Sequence, residues 1–517
     1  MQDDAAEARG NAADWFVDRH LREGRGARTA FIDADGSLTY AQLHAATTRF
    51  AAGLAAAGIG REARAALLLH DTIAFPIAFW GAIRAGVLPV PINTLLPAEQ
   101  LAYILRDSRA ELLVVSGTLL PALRPLLAGL PALRRVVVAG DVPPTGSLED
   151  ATPLAAFLAD GDAPPVGASP DETAFWLYSS GSTGAPKGVR HVHGSLRATY
   201  ETYGAQVLGI APDDIVYSVA KLFFAYGLGN AMTFPMAVGA CSVLFPHRPT
   251  PDAVLALLAR YRPTILGGVP TLYAGLLAHA ALGPGAGSDR LRRCISAGEA
   301  LPEQVGAAWS RAVGVDILDG IGSTEMLHIF LSNRPGDIGY GTSGRAVPGY
   351  ALRIVDADDA DLPDGEIGEL IVQGDSAADG YWNQRDKSRH TFRGAWTWTG
   401  DKYLRLPDGR YRYCGRADDM FKVSGIWVSP FEVESALVAH PAVLEAAVVG
   451  HADAQGLPKP RAFEVLKPGA GVETAALQAH VKAIAGPWKY PRWIDFVDDL
   501  PKTATGKIQR FKLRAPA

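Results

Sequence analysis

The chain has 517 residues, 48% of them apolar and 20% charged, the proportions of a globular protein with several domains and ample core. Its 49 basic and 54 acidic residues leave a net charge of −5, which argues against a nucleic-acid-binding face or an acidic tail. Cys241, Cys294 and Cys414 are far apart and in no metal-ligand spacing, so a disulfide scaffold is not expected and a reducing compartment fits. The acidic start MQDDAAEARG lacks the basic-then-apolar pattern of a secretory signal, and no apolar run reaches the ~18 residues of a membrane span. A cytoplasmic protein without membrane or nucleic-acid partners is expected.

From Thr29 to about Gly140 strand-like and helical runs alternate, which predicts a layered α/β unit. Strands are expected at Ala65–His70, Val87–Ile92, Glu111–Ser116 and Arg135–Ala139. Between them a helix follows Pro97, with Leu101, Ile104 and Leu105 on one face. Ala151–Ser169, rich in Ala, Pro, Gly and Asp, reads as a loop.

Next comes the apolar run Phe175–Leu177, followed by YSSGSTGAPK over Tyr178–Lys187. A strand ending in small hydroxyl residues and glycines leaves backbone N–H groups and hydroxyls for polyphosphate oxygens, and a Lys adds charge. Pro186 and Gly188 flank Lys187, so a helix is not expected to begin there and the Walker arrangement is excluded. His191 and His193 nearby strengthen the reading of a phosphate cradle over that of a plain flexible loop. Helices are expected from Ser195 onward and over Pro251–Tyr261, then short strands and turns to about Gly322.

Near Pro348 the texture changes to short alternating segments: Tyr350–Val355, Gly368–Gln373, Tyr403–Leu406 and Arg410–Cys414. Pro-Asp-Gly turns at Pro363 and Pro407 join them into a β-rich subdomain. The polar ADDMFK after Arg416 reads as a linker. Ser429-Pro430-Phe431-Glu432 has the pattern of a capping box, with Val428 and Val433 placed for a hydrophobic staple. Strands at Ala446–Gly450, Arg461–Leu466 and Trp493–Val497 and a helix at Thr474–Ile484 complete an α+β module of about 100 residues. The expected architecture is therefore a large N-terminal domain, 1–417, of layered α/β subdomains plus a β-rich subdomain at about 348–417. A small mobile α+β C-terminal domain, 418–517, follows.

The motifs YSSGSTGAPKG, ISAGEALP, DGIGSTE, WTWTGDKY, GRADDMFKVSG and PKTATGK occur in that order over nearly the whole chain. Together they resemble the adenylate-forming superfamily of acyl-CoA ligases, peptide-synthetase adenylation domains and luciferase. The resemblance implies a carboxylate that attacks the α-phosphate of ATP, giving acyl-AMP and pyrophosphate, and a thiol that then takes the acyl group.

Carried over residue by residue, the cradle of Ser179, Ser180, Gly181, Ser182, Thr183, Gly184 and Lys187 would hold the β- and γ-phosphates. Thr324 would touch the α-phosphate and Glu325 would hold magnesium as a hard oxygen ligand. Gly298, Glu299 and Ala300 would line the base, beside Gly320 and Ile321, with Asp319 accepting from the adenine amino group. Asp401, assisted by Arg416, would bind the ribose hydroxyls. Lys507 would bridge the carboxylate and the α-phosphate. Asp418 would be a hinge about which the small domain turns, bringing Lys422, Ser424 and Gly425 to the path of coenzyme A. Each residue also has a plainer reading: Asp401 as a turn cap, Glu325 as a helix-start carboxylate, Lys507 as a solvated charge, Asp418 as an ordinary linker residue.

Within the superfamily, KLFFAYGLGNAMTFPMAVGA and IGSTEMLHIFLSN resemble the benzoate–CoA ligases. Phe224, Ala225, Tyr226 and Gly227 set bulky rings beside small residues, a composition that suits either a slot for a flat ring or plain core. The resemblance implies a ring pocket of these residues with Gly298, His328 and Ile329. Phe223–Tyr226 holds no acidic partner for an ammonium, which argues against an amino-acid substrate. Arg190 stands where a small or apolar residue is expected. The implied activity is an aryl–CoA ligase using ATP, Mg2+ and coenzyme A on benzoate or a simply substituted benzoate. Rival readings are an adenylating enzyme that loads a carrier protein, a CoA ligase for other small acids, and a non-catalytic nucleotide sensor. The sequence leaves a homodimer open.

Overall fold

The computed structural model describes residues 10–141, 151–179, 185–283, 288–417, 419–423, 426–454, 456–502 and 508–514. The expected strands of the first α/β unit form one parallel five-stranded sheet. Arg64–Leu68 lies between Leu88–Pro91 and Leu112–Ser116, and Arg135–Ala139 follows on the far side. Thr152–Pro153 adds its last strand and leads into a single helical turn, Leu154–Phe157, so part of the expected loop is ordered structure. Apart from the leading Arg64 and Arg135, the four longer strands are buried, and they are mostly apolar on both faces, as a sheet covered by helices requires.

A nine-stranded sheet carries the middle of the chain. Its parallel centre runs from Cys241–Val243 through Ile215–Ser218, Ile265–Gly268 and Arg293–Ser296 to Ile317–Gly322. Where short strands and turns were expected, two helices alternate with these strands, Pro270–Leu277 and Glu303–Val313. The second was readable: Val305, Trp309 and Val313 recur at helical spacing, Pro302 precedes it and Gly314 ends it at φ +79°. The first is apolar on most faces and shows no periodic contrast, with Leu272, Tyr273 and Leu276 all buried.

The β-rich segment is a five-stranded antiparallel sheet in which Tyr403–Leu406 is only the end of a longer strand, Trp396–Arg405. Beyond it, Val423, Val433, Leu437, Val448, Leu477 and Val481 form a core of their own. Only half of the expected capping box forms there. Ser429 Oγ accepts from Glu432 N at 3.1 Å, while both Glu432 carboxylate oxygens take the Lys489 amine at 2.6 Å. An ion pair with a distant Lys thus replaces the local bond. No helix among the described residues is long and apolar enough to cross a membrane.

Candidate active site

Thr173–Ser179 and Lys187–Val192 form an antiparallel hairpin in which Ser179 pairs with Lys187 and Tyr178 with Gly188. Lys187 begins a strand, consistent with the expectation from its Pro and Gly neighbours that no helix starts there. The cradle tip Ser180, Gly181, Ser182, Thr183 and Gly184 lies outside the described residues. Ser179 Oγ at its mouth is buried without a hydrogen-bond partner among the described residues. A third strand, Gly380–Tyr381, pairs on the other edge of Lys187–Val192, with Tyr381 opposite Val189.

This third strand brings in a residue that the sequence did not single out. Tyr381 Oη accepts from Lys187 Nζ at 3.2 Å and donates to Glu325 Oε1 at 2.8 Å, with Thr391 Oγ1 at 3.3 Å. Lys187 and Glu325 themselves are 3.8 Å apart, and the amine also sits 4.3 Å from the centre of the Tyr381 ring. Burial pulls the Lys187 amine below its usual range and Glu325 opposes the shift; burial and Glu325 push the Tyr381 phenol up. Ser323–Leu327 is a tight turn. Met326 N donates to Ser323 Oγ at 3.1 Å, Ala378 N to Glu325 O at 2.8 Å and Ser376 Oγ to Met326 O at 2.8 Å. Thr324 sits in this turn, half-buried, and its backbone faces the His191 ring.

The two histidines near the cradle are committed to packing. His191 is fully buried and stacks on Phe175 at 5.0 Å; burial pushes its pKa down to about 3. His193 Nδ1 accepts from Ala12 N at 3.2 Å. Burial lowers the pKa of both, so neither is a charged neighbour of Lys187, and their closeness in sequence carries less weight than the sequence alone suggests. The unexpected Arg190 pairs with Asp379 at 2.8 Å, on the edge where the third strand joins.

On the nucleotide-base side, Asp319 lies in the strand Ile317–Gly322 with Gly320 and Ile321. Its side chain is buried; Oδ1 has no partner among the described residues, and Oδ2 accepts weakly from Leu301 N at 3.5 Å. Burial pushes this carboxyl up to about 8. A narrow cleft over it is lined by Ala300, Leu301, Ser343, Tyr413 and, from beyond the linker, Phe431. Asp401 and Arg416 face each other across paired strands, with Arg416 Nη1 3.1 Å from Asp401 Oδ1. Gly298 is exposed beside Glu299, whose Oε1 accepts from Ile508 N at 3.0 Å. Ile508 immediately follows Lys507, so the chain beside the expected catalytic lysine meets the base-lining segment. Lys507, Asp418, Ser424 and Gly425 lie outside the described residues. Lys422 is exposed on the strand Phe421–Val423.

The ring side grows from the same turn. Past Leu327, at φ +64°, His328 enters the interior and Ile329 starts the strand Ile329–Ser332. His328 is buried among aromatic rings, 4.6 Å from Phe234, 5.0 Å from Tyr203 and 5.7 Å from Tyr226. Neither of its ring nitrogens has a partner among the described residues, and burial pushes its pKa down to about 3, so the ring is neutral. Phe224 precedes the helical turn Ala225–Leu228, and Tyr226 Oη donates to Gly268 O at 3.1 Å.

Two glycines here serve close approach. A Cβ on Gly229 would lie 2.3 Å from His328 Cδ2, and one on Gly227 would lie 2.1 Å from Lys221 O. Gly227 thus lets the chain fold back closely on its own backbone. Sequence reading also missed Asp71, whose buried carboxylate accepts from Leu222 N at 3.1 Å and pins the start of this segment. Asn230, buried one turn beyond Tyr226 with both amide atoms unpartnered among the described residues, was missed as well. No spacing in the sequence marks either residue: Asp71 acts on Leu222, which only the fold brings to it, and the burial of Asn230 likewise follows from the fold.

Residues 17–382 match the AMP-binding enzyme family and residues 432–507 match the AMP-binding enzyme C-terminal domain. The chain is 54% identical to a 4-hydroxybenzoate–CoA/benzoate–CoA ligase of Rhodopseudomonas palustris, over 98% of this chain and 94% of that protein. It is 55% identical to a benzoate–CoA ligase of Thauera aromatica, over 98% of this chain and 96% of that protein. A crystal structure of a benzoate CoA ligase from Burkholderia xenovorans LB400 superposes with a TM-score of 0.89 at 48% identity, covering 98% of this chain and 100% of the other. The chain belongs to the AMP-binding, adenylate-forming enzymes, and within them it is similar to the benzoate–CoA ligases.

Proposed function

We propose that this protein is an ATP-dependent aryl–CoA ligase that activates benzoate or a simply substituted benzoate and passes the aroyl group to coenzyme A. The observation that carries the reading is the turn 323–329. It points Glu325 at the cradle lysine and sends His328 into a cluster of aromatic rings. A flat acid with its ring against His328, Tyr226 and Phe224 would present its carboxylate toward the phosphate side. Identity above 50% over nearly the whole chain to ligases named for benzoate supports the same substrate class.

In the first half-reaction a carboxylate oxygen forms a bond to the α-phosphorus, and the bond from that phosphorus to the bridging oxygen breaks. Pyrophosphate leaves with the electron pair. The enzyme's part is positioning and charge neutralisation. Lys187 and the Ser179–Gly184 cradle hold the departing phosphates, Thr324 the α-phosphate, Asp401 with Arg416 the ribose, and Asp319 the adenine amino group. Lys507 steadies the incoming carboxylate against the α-phosphate.

Glu325 suits Mg2+. It is a hard oxygen donor beside the phosphate cradle, and the described residues contain no cluster of three or more ligating side chains. A site of one carboxylate plus substrate phosphates is the usual magnesium arrangement. When bound, the ion supplies further neutralisation of phosphate charge.

In the second half-reaction the thiolate attacks the aroyl carbonyl and AMP leaves. Residues 418–517 turn about Asp418, withdraw Lys507 and bring Lys422, Ser424 and Gly425 to the thiol path. The test is benzoate-dependent ATP–pyrophosphate exchange, followed by thioester formation with free coenzyme A. Exchange without a CoA thioester would make the protein a carrier-loading enzyme. No exchange with any aromatic acid would refute the reading.

A further inference from the structure

Lys187 and Glu325 stand 3.8 Å apart, beyond hydrogen-bond length, and the Tyr381 hydroxyl sits between them. A phenol has one proton and two lone pairs. An ionised Glu325 can only accept, so it takes the proton at 2.8 Å, and Lys187 donates to the phenol oxygen at 3.2 Å. Thr391 Oγ1, at 3.3 Å, completes the set. The phenol oxygen is held rigidly. The Tyr381 ring is buried with Val189 and Ala378, lies 5.3 Å from Phe392, and belongs to the strand that pairs with Lys187–Val192. The next residue, Trp382, donates from Nε1 to Asp107 O at 2.9 Å and packs 4.7 Å from Trp176. The hydroxyl's place is therefore set by the sheet that carries the cradle, while Glu325 arrives from a separate turn.

We propose that Tyr381 is a positioning residue for the first half-reaction: its hydroxyl wedges Lys187 and Glu325 into a preset pair between which the nucleotide triphosphate is gripped. Without the wedge, a half-buried amine and carboxylate this close would collapse into a direct ion pair. ATP would then have to break that pair before it could bind. The inference rests on the reading of Lys187 and Glu325 as the phosphate grip.

Tyr381→Phe keeps the ring and its contact with the amine and removes only the hydroxyl. Three readouts separate its effects: ATP binding by calorimetry with and without Mg2+, benzoate-dependent pyrophosphate release, and conversion of supplied benzoyl-AMP to benzoyl-CoA. Loss of a charge-assisted hydrogen bond predicts roughly tenfold weaker ATP binding in the presence of Mg2+ and a similar rise in KM for ATP. The supplied benzoyl-AMP should react at the wild-type rate. Thr391→Val should show the same pattern at smaller size. Wild-type ATP binding in Tyr381→Phe would overturn the proposal, and so would an equal fall in all three readouts, which marks general loss of structure. If wild-type enzyme formed no benzoyl-AMP, the substrate assignment would fail, while the calorimetric comparison would still decide the role of Tyr381.

Discussion

Glu325 and His328 leave the same tight turn, yet the surroundings they enter follow opposite rules. Glu325 joins a half-buried polar set in which Lys187, Tyr381 and Thr391 make specific hydrogen bonds. His328 enters an aromatic cluster where its own two nitrogens, and the amide of nearby Asn230, have no partner among the described residues. On the proposed reading the phosphate side would bind by charge and donor placement, which any acid's adenylation would need. On the same reading the ring side would select by shape, and its unpartnered polar atoms mark where substituents would be read. The proposed function thus separates the chemistry needed for any acid from the chemistry that chooses the acid by one turn of chain.

Changes on the catalytic side should cost most. Lys507→Ala should slow aroyl-AMP formation by roughly 100- to 1,000-fold, the usual weight of one preorganised charge on a transition state. Conversion of supplied aroyl-AMP to the thioester should persist. An equal fall in both steps, measured separately, would end the assignment of Lys507 to one half-reaction.

His328→Ala should act on choice rather than on rate. Removing the imidazole opens space beside Tyr226 and Phe234, and the ratio of kcat/KM for a substituted benzoate to that for benzoate should rise roughly tenfold. A panel of hydroxy-, amino- and halobenzoates measures it, and an unchanged ranking would remove His328 from the pocket wall. Burial holds the His328 pKa at about 3, so the ring stays neutral at any pH above that. The wild-type ranking should accordingly be flat from about pH 6 to 9, and a sharp change near the ordinary histidine pKa would contradict the burial.

The smallest effect is expected far from both sides. Glu464 is fully buried, neither of its carboxylate oxygens has a partner among the described residues, and Glu434 lies nearby. Burial raises its pKa from 4.5 to about 9. The folded protein then holds a proton that the unfolded chain releases. Stability is present in full below about pH 4.5 and declines as pH rises toward 9. Glu464→Gln should remove this slope, raising the unfolding temperature of the C-terminal region at pH 8 more than at pH 5. Calorimetry showing the same shift at both pH values would contradict the buried-carboxyl account.

Much of the fold around the site was readable because it is written locally. The apolar run Phe175–Leu177 marks the strand that ends at Ser179, and the helix Pro251–Tyr261 follows from apolar spacing behind a proline. Tyr381 was not readable, since its importance comes from pairing with Val189 across a long stretch of chain. The close approach of Gly227 to Lys221 O was not readable either, since only the fold brings that carbonyl to it. His191 and His193 misled because proximity in sequence to Lys187 says nothing about which side chains turn into the core.

The central claim is that one turn joins a phosphate grip to an aromatic-acid pocket. Incubation with ATP, Mg2+, coenzyme A and benzoate, with AMP, pyrophosphate and thioester quantified together, tests it directly. The account predicts equal amounts of AMP, pyrophosphate and benzoyl-CoA, all dependent on the acid, with short aliphatic acids far poorer substrates. Release of ADP, or nucleotide turnover indifferent to the aromatic acid, would contradict it.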